Sequence, residues 1–428
     1  MKVNIHYGDG HISLDIPDEN VARVIQPFED GPQTDNGEIV GDALGEREVE
    51  NFKDRIDGKQ LCVLVGDGTR DMPLDSIFDK LFCILSRGRF VKFVICTGTH
   101  NGDTYENKKI IERINRFAAD AGLSDFEIHV HDHRNAEFIN AGTTSCGTDI
   151  IYNAVIADAD VFLILSDVKS HYFAGYSNPI KNFVPGICAY ATAEANHSLA
   201  LNEKSSFGIH PWHNDKSRRE NPLAMDQLEG MKLITGDREV HAFVTISSSR
   251  RIQWVGFGLA EDVCGRAFDE SDRLNATTVE PVDRLIVSPG GLPNDVDLYI
   301  AQRALELTKA AVTDGGEVLF LAACPKGVGE EHTRENFYDR LTRPIPEILS
   351  SIESKYALYS HKPYKFAVMI ENLRRLWVYS EIPDDMMEAA HLYPTNNPQT
   401  VVDAWLAENP DTKIMIVDGA NKIAIHAG

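Results

Sequence analysis

The sequence predicts an α/β protein made of two α/β domains with mostly parallel sheets, and three observations carry that expectation. The chain has 428 residues, more than a single hydrophobic core usually serves. Over the first 170 residues four apolar, β-rich runs are separated by helical patterns, and strands that alternate with helices pair in parallel. The same alternation restarts near residue 285, after a change of composition at 270–280. The expected layout is an N-terminal domain over 1–275, a C-terminal domain over 276–428 and an active-site cleft between them. The last strand is free to pack back on the first domain.

In chain order, Met1–Pro17 reads as a short hairpin rather than a signal peptide. Strands are expected at Gln60–Val65, Phe90–Cys96, Phe126–His131 and Asp160–Leu165, with helices at Leu74–Leu85, Tyr105–Ala121 and Thr148–Ala157. Val240–Ser247 and Arg251–Phe257 read as an antiparallel pair around a Ser-rich turn. In the second half, strand Leu285–Val287 leads into Ser288-Pro289-Gly290-Gly291, followed by a helix over Asp295–Val312 and a strand over Glu317–Ala322. Helices at Arg334–Tyr356 and Pro363–Arg374, then strands Leu376–Ser380 and Lys413–Val417, complete the series.

The net charge of −23 argues against nucleic-acid and anionic-membrane partners. It also requires local cations wherever an anionic substrate binds. No apolar run reaches the roughly 18 residues of a membrane span. Seven scattered cysteines without a CxxC pattern fit a reducing, cytoplasmic compartment.

Open α/β sheets bind ligands at the carboxyl ends of their strands, which singles out the loops at 66–70, 98–101 and 166–171. His100, in Thr97-Gly98-Thr99-His100, suits a general acid/base or a turn histidine bonded to backbone. His171, in Ser170-His171-Tyr172-Phe173-Ala174-Gly175, suits a pocket wall or aromatic packing. Lys181 is the only Lys or Arg between His171 and Tyr190; it suits a nucleophile or covalent anchor, or a snorkelling surface lysine. His197, in Ala195-Asn196-His197, suits a metal ligand or an ordinary helix histidine. Asp67-Gly68-Thr69-Arg70 opens a helix where amides and hydroxyl can hold a phosphate, and Arg70 can grip a carboxylate; a plain capped turn is the alternative. Past Pro289-Gly290-Gly291, the next helix presents Tyr299, Gln302 and Arg303 as a second binding wall or a surface. His129, His131 and His133 alternate along a strand end, so a metal-dependent hydrolase or lyase site there is a competing reading.

Taken in order, Asp67-x-Thr69-Arg70, Thr97-Gly98-Thr99-His100, His171-Tyr172-Phe173-Ala174-Gly175, Lys181 before Val184-Pro185-Gly186, Asn196-His197 and Pro289-Gly290-Gly291-x-Pro293-x-Asp295 resemble the nickel-dependent lactate racemase family. The resemblance implies a racemase or epimerase of 2-hydroxy acids that uses a nickel-pincer nucleotide, a pyridinium mononucleotide with two sulfur arms. It implies a thioamide link at Lys181, a nickel ligand at His197 and an acid/base pair at His100 and His171. It also implies a substrate carboxylate at Arg70, with Asp67 and Thr69 seating the nucleotide and Tyr299 and Arg303 facing the substrate. Cofactor-biosynthesis proteins are implied as partners. Moving the α-hydrogen as hydride avoids a carbanion, and two histidines serve the two enantiomers. A homologue that keeps the cofactor without catalysis is a further alternative.

Three departures bear on substrate. Ser177-Asn178-Pro179 replaces the family's usual Ser-Gly-Gly, Asp167-Val168-Lys169-Ser170 precedes His171, and Ile300 and Arg303 stand where lactate racemases carry Gln and Lys. The planar fork of arginine suits a carboxylate, so malate or a sugar acid joins lactate among the expected substrates.

Overall fold

The computed structural model describes residues 1–27, 34–70, 72–248 and 251–428. It contains two compact units. A central unit holds Glu29–Arg273; a terminal unit joins Met1–Phe28 to Leu274–Gly428.

The chain starts in the terminal unit with the antiparallel hairpin β1 (Lys2–Tyr7) and β2 (Gly10–Asp15), then β3 (Val21–Ile25). In the central unit follow β4 (Gln60–Gly66), β5 (Phe90–Cys96), β6 (Phe126–Val130), β7 (Phe138–Thr143), β8 (Asp149–Asn153) and β9 (Val161–Asp167). The short β10 (Lys169–His171) and β11 (Gly175–Ser177) come next, then β12 (Glu239–Ser248) and β13 (Arg251–Leu259). The main sheet has the order β13-β12-β9-β4-β5-β6 and is parallel except for the β12–β13 pair. The Ser-rich turn expected there includes residues 249 and 250, outside the described residues.

Helices Leu74–Leu85 and Tyr105–Ala121 have the expected bounds. The second starts where the Thr104 hydroxyl accepts from the Asn107 amide and stops at Gly122, whose φ of +69° an L side chain resists. Their apolar faces join the sheet in one core that includes Phe78, Phe82, Phe93 and Ile114. The helix expected at Thr148–Ala157 is instead β8, paired antiparallel with β7, followed by a single 3-10 turn at Ala154–Ile156. Ile150, Ile151 and Tyr152 favour a strand once a partner exists, and short apolar runs are ambiguous by period alone.

Back in the terminal unit come β14 (Ala276–Val279), β15 (Val282–Ser288), β16 (Val312–Leu321), β17 (Arg375–Tyr379), β18 (Tyr393–Pro394), β19 (Ile414–Asp418) and β20 (Ala424–Ala427). Their sheet, β18-β17-β16-β15-β19-β3, is wholly parallel. The first 28 residues therefore do not belong to the first domain as expected: β3 completes the terminal sheet beside β19. Nor does the last strand return to the first domain, since β20 pairs with β14. The long helix expected at Arg334–Tyr356 is broken into Glu331–Arg334, Tyr338–Leu341 and Ile345–Ser354. Pro344, which has no N–H to donate, stands at the last break.

Candidate active site

In the central sheet β4 runs first, β5 and β6 add to one side, and β9 adds to the other. The point where strand order reverses, at the carboxyl ends of β4 and β9, is where a parallel sheet leaves a crevice. Five of the sequence-derived candidates lie on the loops and hairpin leaving β4, β5 and β9, and Lys181 and His197 lie on following helices.

His100 ends a tight turn after β5. Its amide bonds the Thr97 carbonyl at 3.0 Å, and Gly98, at φ +56°, bonds the Gly186 carbonyl at 3.0 Å. The turn is thereby tied to the segment that carries Lys181. His100 Nδ1 lies 2.7 Å from Oδ2 of Asp67, a side chain only 3% exposed. A carboxylate only accepts, so Nδ1 carries the hydrogen and neutral His100 offers a lone pair on Nε2. Thr69 donates to the other Asp67 oxygen at 2.6 Å. Burial pushes the Asp67 carboxyl up, but His100, Thr69 and Arg70 together hold it below the usual carboxylate range. Asp67 and Thr69 thus sit beneath His100, a positioning arrangement that the strand-to-helix pattern did not reveal.

His171 ends β10, opposite Gly175 in the β10–β11 hairpin. Gly175 is required there: its φ is +77°, and an added Cβ would meet the Ile209 carbonyl oxygen at 2.1 Å. Nδ1 of His171 accepts from the Ala174 amide at 3.3 Å, which leaves the ring hydrogen on Nε2. Lys181, on the short helix Ile180–Phe183, brings Nζ to 2.9 Å from that Nε2. The two nitrogens are close enough to share one hydrogen, and a lysine amine acts as a nucleophile in its neutral form.

His197 lies on helix Tyr190–Ser198. Its Nδ1 donates to the Ala193 carbonyl at 2.8 Å, so Nε2 carries the lone pair. Histidines that ligate metals are commonly oriented in this way by a backbone carbonyl. Burial, with the charges of Lys181 and His100 adding to it, pushes His197 down to about 3, keeping the ring neutral. Asn196 fixes the same helix turn through Asp226 at 2.8 Å and Gln227 at 3.0 Å. The Phe173 ring joins these groups: its centre lies 4.5 Å from His171, 5.5 Å from His197 and 5.4 Å from Lys181 Nζ. Sequence reasoning quoted Phe173 within the His171 motif but gave it no role.

His100, His171, Lys181 and His197 therefore gather at one edge of the central unit, with Asp67 and Thr69 below and Arg70 exposed on the same turn. Tyr299 and Arg303 lie on helix Leu298–Thr308 of the terminal unit. The competing site at His129, His131 and His133 does not form. β6 ends at Val130, and His131 spends its ring on the Cys188 carbonyl and the Asn153 amide, while its burial pushes it down to about 4. His129 meets Glu127 at 3.1 Å, and His133 accepts from Arg134 at 3.1 Å. Among the described residues no group of three or more His, Cys, Asp or Glu side chains is placed to hold a metal.

Residues 7–208 match the model of the lactate racemase N-terminal domain. The chain is 26% identical over 353 residues to a lactate racemase of Thermoanaerobacterium thermosaccharolyticum, covering 79% of this chain and 77% of that one. It is 24% identical over 353 residues to a lactate racemase of Lactiplantibacillus plantarum, covering 80% and 78%. Its fold superposes on the lactate racemase apoprotein of T. thermosaccharolyticum with a TM-score of 0.83, at 21% identity and 100% coverage of both chains. A protein from Thermotoga maritima shares the fold at a TM-score of 0.59, with 16% identity, 91% of this chain and 99% of that one.

Proposed function

We propose that this chain, whose residues 7–208 match the lactate racemase N-terminal domain, is an isomerase that racemises or epimerises a 2-hydroxy acid with a nickel-pincer nucleotide linked to Lys181. The observation that carries the reading is the contact between Lys181 Nζ and His171 Nε2 at 2.9 Å, with His197 and His100 in the same cluster. The donor set fits the cofactor. Lys181 offers an amine lone pair for a thioamide, and His197 offers a neutral imidazole, a donor suited to nickel. When bound, that group would supply a reversible hydride acceptor for the substrate's α-hydrogen.

The chain's own residues supply the rest. His100, braced by Asp67, offers Nε2 to remove the substrate's hydroxyl proton. His171 serves the opposite enantiomer in the same role. Arg70 pairs with the substrate carboxylate through its planar fork. Phe173 packs against His171, His197 and Lys181.

The test is a racemisation screen of protein co-expressed with the cofactor-biosynthesis proteins, against lactate, malate, phenyllactate and gluconate. The expected outcome is racemisation or epimerisation of at least one, with an intact-mass adduct that Lys181→Ala abolishes together with activity. Full activity in protein free of any adduct overturns the reading.

A further inference from the structure

The hairpin that carries His171 also carries a fixed cation. Lys169 opens β10, two residues before His171. Ser170 between them is buried, while Lys169 and His171 are half-buried. Alternation along the strand therefore puts Lys169 and His171 on the same, more open face, about 6.6 Å apart along the strand.

The ammonium is held by the sheet. Lys169 Nζ lies 3.0 Å from Oδ2 of Asp167, whose side chain is 3% exposed against 43% for the lysine. Asp167 ends β9 and stands opposite Thr245 in the register of β9 with β12. Its other oxygen, Oδ1, accepts from the Thr245 hydroxyl at 2.8 Å and from the Ser247 hydroxyl at 2.7 Å. Both hydroxyls come from one strand, so the carboxylate is fixed by regular backbone rather than by a loop. The buried Oδ2 accepts no aligned hydrogen bond among the described residues. Its contact with Lys169 is one of charge, and the N–H groups of the ammonium are not spent on it.

A lysine that grips a ligand gives up rotamer freedom, and a partner that already orders it lowers that cost. Asp167 orders Lys169 in this way. The cation also matters for a chain of net charge −23, whose overall field repels an anionic substrate.

We propose that Lys169 is a specificity-determining residue that binds a second carboxylate of the substrate, remote from the reacting carbon. The fixed ammonium stands on geometry alone. Its assignment to substrate rests on the racemase reading, in which His171 meets the hydroxyl and Arg70 takes the first carboxylate. The matching class is a short hydroxy dicarboxylic acid, because only two strand residues separate the histidine from the ammonium. A monocarboxylic acid such as lactate offers Lys169 no charged partner.

The experiment is calorimetric titration of the full-length protein without cofactor, using malate, lactate and gluconate at neutral pH. Malate is expected to bind about tenfold more tightly than lactate. Lys169→Ala should remove most of that preference, and Lys169→Arg, which keeps the charge, should retain it within about threefold. No malate binding, equal affinity for malate and lactate, or an unchanged preference in a folded Lys169→Ala overturns the assignment. Gluconate bound as tightly as malate overturns the dicarboxylate class. Equal weakening of all three acids in Lys169→Ala, with a lower urea midpoint, makes Lys169 a structural partner of Asp167 and also overturns it. The cofactor-loaded enzyme separates the two readings. If it racemises lactate while malate binding ignores Lys169, the racemase reading stands and the specificity residue fails. If malate binding depends on Lys169 but no hydroxy acid is racemised, the racemase reading fails and the dicarboxylate site stands.

Discussion

The two sheets share one plan and use it differently. Each begins with a strand at its centre, β4 or β15, adds later strands to one side, then places β9 or β19 on the other. Both β9 and β19 end in a buried aspartate, Asp167 or Asp418. Both carboxyl edges carry an Asp–His pair, Asp67 with His100 at 2.7 Å and Asp418 with His6 at 2.8 Å. In the central unit the histidine comes from a turn, and its other nitrogen remains for chemistry. In the terminal unit the edge is sealed by the β1–β2 hairpin. Asp418 also takes the His6 amide at 3.2 Å, Ser288 donates to the His6 carbonyl at 2.6 Å, and Asp295 takes the Gly8 amide at 2.9 Å. A parallel sheet offers a crevice at its switch point. Whether that crevice becomes a reaction site depends on whether side chains or a closing strand of backbone fill it.

The sharpest way to break this contrast is to change the same kind of residue at both edges. Asp67→Asn should lower racemisation by on the order of a thousandfold, since the amide no longer fixes the His100 tautomer. Its urea midpoint should move little, because the amide can still bond Thr69. A drop in stability with activity intact would make Asp67 a structural residue like Asp418.

Acid should open the central unit before the terminal one. His131 and His210 are buried and held down to about 4 and about 3 by desolvation. A histidine lowered in the folded state contributes stability above its unfolded value near 6.5, and loses it as pH falls through 6.5 toward the folded value. By pH 5 the loss is about 2 kcal/mol for each of the two. Glu317, the carboxylate bonded by Trp377, Trp405 and Arg374 in the terminal unit, is lowered, so its contribution is lost only below about pH 4.5. Hydrogen exchange at pH 7 and pH 5 should show central-unit amides losing protection first; equal loss in both units removes this distinction.

What was legible in the sequence follows the same divide. Strands β4, β5 and β9 are runs of buried aliphatics bounded by polar turns, and the helices between them repeat every three to four residues, so their places were readable. His100, Lys181 and His197 were readable because they occupy strand-end loops and ordered motifs. The role of Asp67 was hidden, because its partner lies 33 residues away and the bond exists only once two strands pair. The swap of residues 1–28 into the terminal unit was hidden for the same reason: β3 pairs with a strand almost 400 residues later, which no local pattern announces. The β7–β8 hairpin was lost to a short apolar run that suits either period.

The smallest expected effect tests how firmly the hairpin seals the terminal edge. Cys324 is the single cysteine of the terminal unit, and it is buried. Its amide bonds the Asp295 carbonyl at 2.8 Å, while Asp295 Oδ2 accepts from both Gly8 and Ala323. Asp295→Ala strands the buried Ala323 amide and the half-buried Gly8 amide, at a cost of about 1–3 kcal/mol. The loss falls on contacts that tie the hairpin to the loop bearing Cys324. In the native protein a thiol reagent should therefore label exposed Cys83 and Cys146 of the central unit at once and Cys324 slowly. In Asp295→Ala, labelling of Cys324 should quicken by about tenfold or more while the buried central cysteines keep their rates. If the buried cysteines of both units speed up together, the hairpin stabilises the whole chain rather than one edge; if none does, Asp295 is not what holds the edge shut.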